Sequence, residues 1–375
     1  MSEPATIATW LAEPLSRPVR QAVERLAKAE GVRHVAVLPD VHLAESVCVG
    51  TALATERWIY PRAVGSDIGC GMATIALKGD ACSVDDIESA ADILSALPDL
   101  VPIHRLPRRP ELPGDLEPDA LRASALRSRA NRDGRVQFGT LGRGNHFLEL
   151  QVDGEGLMWV MVHSGSRAMG PAILAYYLKR ATVLPGGWEV IDAESEVGQE
   201  YLADAEWAVR WATASRWRML TAATDWLAER FGFQPLPETR RACVHNLVRR
   251  ESPSGIPWWI HRKGAMSARD GELGLIPGSM AAPSYHVTGR GNPGSLFSSS
   301  HGAGRRLSRT EARRQITRRE LCRDMQGIWF DRRAVDHLVD EAPAAYKDIG
   351  DVMRAQRDLV RIERVVQPRL SYKGR

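Results

Sequence analysis

The feature that most restricts the fold of this chain is one long helical pattern placed among many short apolar strands. From about residue 193 to residue 230, Val197, Tyr201 and Ala205 begin a series of side chains at helical spacing. On both sides of this segment, short apolar runs are bounded by glycine- and proline-rich turns, which is typical of strands. These elements do not alternate in the regular rhythm of a doubly wound parallel sheet. The sequence therefore predicts one α+β domain over residues 1–375.

The same patterns assign individual elements. Strands are predicted over 35–38, 47–54, 74–77, 136–138, 146–152 and 157–163, with a further short strand at the C-terminus. Helices are predicted over 84–98, 193–230, 308–320 and 346–360. The proline-rich segment 105–118 is expected to be an exposed connection. The long helix carries four tryptophans, which more often pack in a core than bind a ligand: Trp207, Trp211, Trp217 and Trp226.

Composition and charge exclude some classes of protein. The chain has 375 residues, of which 44% are hydrophobic, so it can bury a large core. No apolar run reaches membrane-spanning length and no secretory leader is visible, so we expect a cytoplasmic protein outside the membrane. The five cysteines have no framework spacing, and their odd number argues for reduced thiols.

Arginines concentrate in two runs, although the net charge of the chain is only +4. One run lies within 305–319 and the other within 122–135. Such runs usually form solvated helix faces, which is the first interpretation of both. They become candidates for binding a phosphate-rich polymer only if a site for phosphate chemistry lies nearby.

The most distinctive short segment is residues 300–305, which read Ser-His-Gly-Ala-Gly-Arg. Glycines let a bulky ligand approach the backbone, and Arg305 carries a fixed charge that suits phosphate. In such a setting His301 would be able to attack a phosphorus atom or transfer protons. Taken alone, the segment is equally well interpreted as a surface turn with a hydrogen-bonded imidazole.

A second set of residues has the chemistry of a metal site. It combines a carboxylate and a thiol three residues apart with three histidines next to predicted strands: Asp67, Cys70, His146, His163 and His245. Such ligands suit two borderline divalent ions, and zinc is the default for nitrogen and sulfur donors. The spacing matches no short zinc-finger signature, and a buried structural cysteine is the alternative at the thiol. His34, His104 and His337 lack such surroundings and are expected to be structural.

Several blocks, taken together and in order, point to a family. They are residues 39–43, 64–72, 139–149, 163–167, 245–246, 261–265, 277–280, 300–305, 345–349 and 373–374. With these blocks the chain resembles the RtcB-type RNA ligase family over nearly its whole length. The resemblance implies a single α+β domain with mixed β-sheets around a central cleft for metal and nucleotide.

The resemblance also implies an activity. The family joins RNA ends that bear a 2′,3′-cyclic phosphate or a 3′-phosphate to ends that bear a 5′-hydroxyl, using GTP and Mn(II). By resemblance, His301 attacks the α-phosphate of GTP and becomes guanylylated, and the guanylate then passes to the RNA 3′-phosphate. The 5′-hydroxyl finally displaces GMP, and a cyclic phosphate is opened first. The implied role is RNA repair or tRNA splicing, with broken tRNA or other cleaved RNA as partner.

Individual roles follow from the same resemblance. Two Mn(II) ions would be held by Asp67, Cys70, His146, His163 and His245, with Cys70 as the bridging ligand. The guanylate would be bound by Asn145, Glu149, Asn246, Ser279, Ser284, His301, Gly302, Gly304, Tyr346 and Lys373. Glu149 would accept hydrogen bonds from the guanine edge. Asn145, Arg167 and Lys263 would act with His301 in catalysis, the last two by holding phosphates.

Three departures from the family pattern leave the RNA preference open. Ala281 stands where glycine is usual, Met266 where threonine or valine is usual, and Ser215 where asparagine is usual. Two other interpretations stay open: a metal-dependent RNA-end phosphatase or cyclic phosphodiesterase without ligation, and an RNA-binding paralogue. We expect a monomer, and an accessory activating or release-factor-like partner is left open.

Overall fold

Strands and helices are interleaved along residues 5–374, the part of the chain that the computed structural model describes. The strands are β1 (Thr6–Thr9), β2 (Val32–His42), β3 (Val49–Thr55), β4 (Trp58–Ile59), β5 (Gly71–Lys78), β6 (Phe147–Asp153), β7 (Met158–Ser164), β8 (Thr182–Leu184), β9 (Trp188–Asp192), β10 (Gln234–Val244), β11 (Asn246–Glu251), β12 (Trp258–Lys263), β13 (Ala265–Ser267), β14 (Leu273–Ile276), β15 (Ser284–Gly289), β16 (Ser298–Ser300), β17 (Trp329–Phe330) and β18 (Val360–Lys373). The α-helices are α1 (Arg17–Ala27), α2 (Ile87–Leu100), α3 (Ser124–Arg129), α4 (Arg135–Gln137), α5 (Met169–Leu178), α6 (Glu196–Phe231), α7 (Arg309–Gln315), α8 (Arg318–Asp324), α9 (Val335–Leu338) and α10 (Ile349–Ala355). None of the described helices has the length and apolar character needed to cross a membrane.

The largest sheet contains eight strands. It has the order β10-β5-β7-β6-β18-β15-β14, and β17 pairs with β18 beside this path. A second sheet has the order β1-β2-β3-β12-β11, while β13 pairs with β16 and β4-β9-β8 form a small third sheet. The pairs β1–β2 and β17–β18 are parallel, and the other pairs are antiparallel. The predicted α+β class with mixed sheets is therefore confirmed.

Helix α6 is the longest element and packs against β5 and β7 of the large sheet. Its 36 residues span about 54 Å. Ser195 caps its start by accepting a hydrogen bond from the Gly198 amide at 3.0 Å. Gly232 ends it in the left-handed conformation, with φ of 75°. Trp207 and Trp211 are buried on it, so the predicted helix and the packing role of these tryptophans are confirmed.

Short elements were predicted less well. The strand over 136–138 is wrong, because the chain stays helical from α3 through a π-helical turn (Ala130–Gly134) into α4. The single helix over 308–320 is divided into α7 and α8. Ser308 and Thr317 each form a capping box, so the second cap starts a new helix.

The C-terminal region also differs in its boundaries. The helix over 346–360 is limited to α10, since Asp348 caps its start by accepting from the Asp351 amide at 3.0 Å. The expected short terminal strand is β18, which has 14 residues. This longer strand matters for the site, because it carries Lys373 at its end.

Candidate active site

Four neighbouring strands of the large sheet deliver the predicted metal ligands to one edge. Strands β5 and β6 begin there, directly after Cys70 and His146. Strand β7 ends there, and His163 is its second-last residue. Strand β10 ends directly before His245. Because β10, β5, β7 and β6 are antiparallel neighbours, the starts of two strands meet the ends of the other two. Residues far apart in sequence therefore lie in one row.

The ligand atoms of this row lie close to one another. Cys70 Sγ is 3.2 Å from His163 Nε2 and 3.5 Å from His146 Nε2. His163 Nε2 is 3.4 Å from His245 Nε2, and His146 Nε2 is 3.0 Å from Asp67 Oδ2. Two groups, Cys70–His163–His245 and Asp67–Cys70–His146, each have their ligand atoms within 4.8 Å of one another. The structure thus brings all five predicted ligands together, with Cys70 shared between the groups as a bridging thiolate requires.

Burial sets the protonation of this cluster. It lowers the pKa of His163 and His245 well below the usual value, so both imidazoles are neutral and offer a lone pair. His163 Nδ1 lies 3.1 Å from the Asn145 carbonyl oxygen, which fixes the proton on Nδ1 and leaves Nε2 free for the cluster. Burial would raise the pKa of Asp67, but its hydrogen bond with His146 holds that pKa below the usual value. Burial raises the pKa of the Cys70 thiol, an effect that a bound divalent cation reverses. Neutral imidazoles, a carboxylate and a thiol are a donor set that fits borderline divalent ions.

Helix α6 holds the ligand-bearing segments in place. The buried guanidinium of Arg216 donates from one nitrogen to the carbonyl oxygens of Gly69 and Ser164, both at 2.8 Å. Gly69 directly precedes one predicted ligand and Ser164 directly follows another. The neighbouring Ser215 accepts from the Gly139 amide at 2.9 Å. Ser215, where the family usually has asparagine, therefore connects the segment that contains Gly139 to α6.

His301 stands beside the ligand cluster with one ring nitrogen already engaged. Its ring centroid is 4.5 Å from that of His245. Its Nδ1 lies 2.6 Å from Asp40 Oδ2, and its backbone amide donates to the same oxygen at 3.2 Å. A carboxylate only accepts, so Nδ1 carries the proton and Nε2 keeps the lone pair. Gly264 (φ +58°) packs against this ring, where a Cβ would lie 2.9 Å from His301 Cε1, so only glycine fits.

Asp40 received no role from the sequence, although it lies within the block 39–43. It is fully buried in β2. Lys347 Nζ donates to the carbonyl oxygens on both sides of it, those of Pro39 at 3.0 Å and Val41 at 2.8 Å. A carboxylate inside the apolar run 35–41 was the signal in the sequence that could have identified it.

His301 and four members of the cluster line one cavity of about 350 Å³, a volume typical of a small-molecule site; the four are Asp67, Cys70, His163 and His245. Most of the predicted nucleotide and phosphate residues line it: Asn145, Glu149, Asn246, Lys263, Ser279, Gly302, Gly304, Tyr346 and Lys373. Asn246 joins two walls, since its Nδ2 donates to the Asp67 carbonyl at 3.0 Å and its Oδ1 accepts from the Gly264 amide at 2.8 Å.

Two predicted site residues lie behind the cavity wall. Gln151 Nε2 donates to Ser284 Oγ at 3.1 Å and to Glu149 Oε2 at 3.0 Å, so Ser284 acts on the cavity through these side chains. Arg167 has left-handed backbone (φ 54°) and lies against Gly142, where a Cβ would be 2.2 Å from its guanidinium. Its charge still reaches the cluster, because it helps to lower the pKa of Asp67.

Glu149 is a buried carboxyl group on the cavity wall. Besides Gln151, Ser371 Oγ donates to it at 3.1 Å. Burial raises its pKa to about 7, although Gln151 and the charge of Lys373 work in the opposite direction. Glu149 is therefore able to change protonation near neutral pH.

Glu341 is the cavity residue that sequence reasoning missed. Lys373 Nζ donates to its carboxylate at 2.9 Å and Tyr346 Oη donates at 2.7 Å. Arg305 and Arg309 reach the other oxygen at 3.1 Å and 2.5 Å. Burial would raise the pKa of Glu341, but the charges of Lys373 and Arg309 lower it to about 2. One carboxylate thus positions several side chains of the cavity.

The remaining departures from the family pattern lie in packed regions. Met266 is buried in a hydrophobic cluster with its methyl group against Gly274. Ala281 packs against a second cluster that contains Met280. Of the three expected structural histidines, His34 Nε2 lies 2.7 Å from the Gly294 carbonyl oxygen, as expected. His104 and His337 are exposed.

One cleft thus combines candidate ligands for divalent ions, a histidine held in one orientation and a cavity of nucleotide size. These features are typical of an enzyme active site. The sequence matches the family described as tRNA-splicing ligase RtcB over residues 22–112 and 109–374. It is 34% identical over 405 residues to RNA-splicing ligase RtcB of Escherichia coli (strain K12), covering 100% of this chain and 98% of that protein. It is 28% identical to RNA-splicing ligase RtcB of Mycobacterium tuberculosis, covering 86% and 92%, and 33% identical to tRNA-splicing ligase RtcB of Thermococcus kodakarensis, covering 61% and 58%. The chain therefore belongs to the RtcB family of RNA ligases, as its motifs predicted.

Proposed function

We propose that this chain is a GTP- and Mn(II)-dependent RNA ligase that joins a 2′,3′-cyclic phosphate or 3′-phosphate end to a 5′-hydroxyl end. The observation that carries the proposal is the pairing of His301 with Asp40 at 2.6 Å, beside the ligand cluster and in the cavity that holds Glu149. A hydrolase of RNA ends would need the metal ligands but no second wall for a guanine base. Substrates in repair or splicing would be cleaved RNAs such as broken tRNA.

His301 is the proposed nucleophile. Its Nε2 lone pair attacks the α-phosphorus of GTP, so that a nitrogen–phosphorus bond forms and pyrophosphate leaves. Asp40 keeps the proton on Nδ1 and stabilises the positive charge that the ring gains, as the carboxylate of a catalytic triad does for its histidine. The guanylate then passes to the RNA 3′-phosphate, and the 5′-hydroxyl displaces GMP. Arg167 and Lys263 would hold phosphates during these transfers.

The cavity wall opposite His301, which β6 and β18 form, suits guanine as the base. Strands β6 and β18 pair there, with Glu149 opposite Ser371 and Phe147 opposite Lys373. An ionised Glu149 accepts hydrogen bonds and Lys373 donates them, which matches the donors and the acceptor on the guanine edge. Adenine carries an acceptor at N1 and no amino group at C2, so this wall supports a preference for GTP over ATP.

The five clustered ligands would hold two Mn(II) ions, with Cys70 between them. When bound, such ions neutralise phosphate charge and act as Lewis acids. The neutral state of His163 and His245 supports this assignment, because a protonated imidazole does not coordinate a metal.

A labelling experiment tests the proposal. Protein incubated with Mn(II) and α-labelled GTP should acquire covalent label, and His301→Ala should abolish it. His337→Ala, at an exposed histidine, is the matched control and should label like wild type. Unlabelled wild type that still removes RNA-end phosphates would instead support the phosphatase alternative. Cys70→Ala should lower metal content and labelling together, and an unchanged metal content would exclude the bridging role.

A further inference from the structure

We propose that the exposed segment 104–109, together with Arg143, is the surface along which the phosphodiester backbone of a single-stranded RNA end reaches the active site. The proposal rests on the proposed function, because it names where the RNA substrate of that site docks. Hereafter this surface is called the basic face. Its members are His104, Arg105, Arg108, Arg109 and Arg143, all of which are exposed.

The basic face carries positive charge that nothing in the described chain neutralises. Within residues 5–374, none of its four arginines forms an ion pair or a side-chain hydrogen bond. Along the chain, the acidic residues nearest to the segment are Asp99 and Glu111, both outside it. Unpaired, exposed guanidinium groups are the groups that bind phosphates in exchange for released counterions.

The two arginine runs found in the sequence behave differently. Much of the run within 305–319 is paired with buried or neighbouring carboxylates: Arg305, Arg309, Arg313 and Arg318 bind Glu341, Asp340 or Asp336. In the run within 122–135, three arginines bind Asp133 or Glu117: Arg129, Arg132 and Arg135. Most arginines of both runs thus have carboxylate partners, which supports their interpretation as solvated helix faces, whereas in the described part of the chain no arginine of the basic face has one.

The basic face leads directly to the ligand cluster. Its first residue follows Ile103, whose carbonyl accepts from the Gly142 amide at 3.0 Å and from Arg167 at 3.4 Å. His104 lies near enough to Arg143 and Arg167 for their charges to add to partial burial in lowering its pKa. Arg167 in turn acts electrostatically on Asp67. The positive charges of Arg143 and Arg167 thus lie near the start of the segment, and that of Arg167 also lies near the proposed metal site.

The backbone of the segment is irregular. Residues 104–109 have no helix or strand, and the chain bends at 103–104 and at 107–108. The arginines are therefore presented on an exposed loop, and contacts of arginine with phosphate are independent of base sequence. A ligase that acts on different cleaved RNAs needs this kind of contact near the reacting end.

Two charge-matched triple variants test the proposal. Arg105→Gln/Arg108→Gln/Arg109→Gln removes three charges from the basic face. Arg306→Gln/Arg314→Gln/Arg319→Gln removes the same number from exposed arginines of the other run that form no ion pair. Binding of a 3′-phosphorylated single-stranded RNA of roughly 12 nucleotides is measured by fluorescence anisotropy over a series of salt concentrations.

The two triples should differ in both affinity and salt dependence. If each lost arginine contacts one phosphate, the slope of log K against log salt falls by about 2, at about 0.7 per contact. At about 0.15 M salt this corresponds to a roughly fiftyfold weaker binding of the basic-face variant. The second triple should bind like wild type, and both should be labelled by GTP like wild type.

The outcomes separate this proposal from the function on which it rests. Unchanged RNA binding in the basic-face triple, or an equal loss in the second triple, would overturn the docking surface. So would a loss seen only with blunt duplex RNA of the same length. Failure of wild type to accept label from GTP would instead refute the proposed ligase chemistry, since RNA binding is measured without GTP.

Discussion

Replacement of Glu341 by glutamine removes one negative charge from among three cations, of which Lys373 is buried and Arg305 and Arg309 are partly exposed. The Glu341 side chain is 2% exposed and that of Lys373 is 4% exposed, so water does not replace the lost partner. Glutamine keeps the shape and one acceptor oxygen, and the change therefore isolates the charge. We expect Glu341→Gln to lower the stability of the folded chain at neutral pH.

The magnitude follows from the pKa of Glu341, which is lowered from 4.5 to about 2 because Lys373 and Arg309 outweigh burial. One pKa unit corresponds to about 1.4 kcal/mol, so the ionised carboxylate contributes about 3 kcal/mol to the free energy of unfolding. Removing one partner of a buried ion pair typically costs about 3–5 kcal/mol, which is the same order. Since 1 kcal/mol shifts Tm by about 2–4 °C in chains of 150–250 residues and by less in longer ones, a decrease of roughly 5 °C is expected.

Scanning calorimetry as a function of pH is the decisive assay. The folded pKa lies below the unfolded one, so the contribution is complete above about pH 4.5 and is lost as the pH falls toward 2. The Tm difference between wild type and Glu341→Gln should be constant from neutral pH to about 5 and shrink below that. Glu238→Gln, at an exposed carboxylate, is the matched control and should melt like wild type. A Glu341→Gln variant that melts with the control, or a difference independent of pH, would refute the reasoning.

Features encoded over a continuous stretch were predictable from the sequence. The period of α6 extends over 36 residues, and its Ser195 cap and terminal Gly232 mark both ends. The chemistry of the ligand set was also visible, because imidazole, thiol and carboxylate in one chain restrict what they can bind. Short windows failed where the local pattern was ambiguous. Val136 and Phe138 alternate like a strand, but the preceding helical turns continue through Val136 and end at Gln137.

Features that depend on distant pairing were not predictable. Only the strand order β10-β5-β7-β6 shows that Cys70, His163 and His245 meet at one edge. The length of β18 was hidden by a register shift between Pro368 and Leu370, which interrupts the alternation. The roles of Asp40 and Glu341 likewise depend on partners more than 30 residues away, His301 and Lys373 respectively. The motif blocks grouped the five ligands into one expected site, whereas hydrophobic periodicity gives no information on such distant pairing.

Variants at two further residues test how the protein prepares its site. Because burial raises the pKa of Glu149 to about 7, this carboxyl group must lose a proton before it accepts hydrogen bonds from guanine. The affinity for GTP, measured by titration calorimetry, should therefore rise with pH through about 7. Glu149→Gln should remove this pH dependence. Arg216→Met should leave the carbonyls of Gly69 and Ser164 without their donor and lower Mn(II) affinity about 10–100-fold, as measured by titration of the metal-free protein. Arg216→Lys keeps the charge but loses the planar guanidinium, so it should restore stability more than metal affinity. A positioning role means that the ligand-bearing segments shift in Arg216→Met while the fold remains intact. If stability and Mn(II) affinity instead recover in parallel in Arg216→Lys, Arg216 acts only as a structural residue.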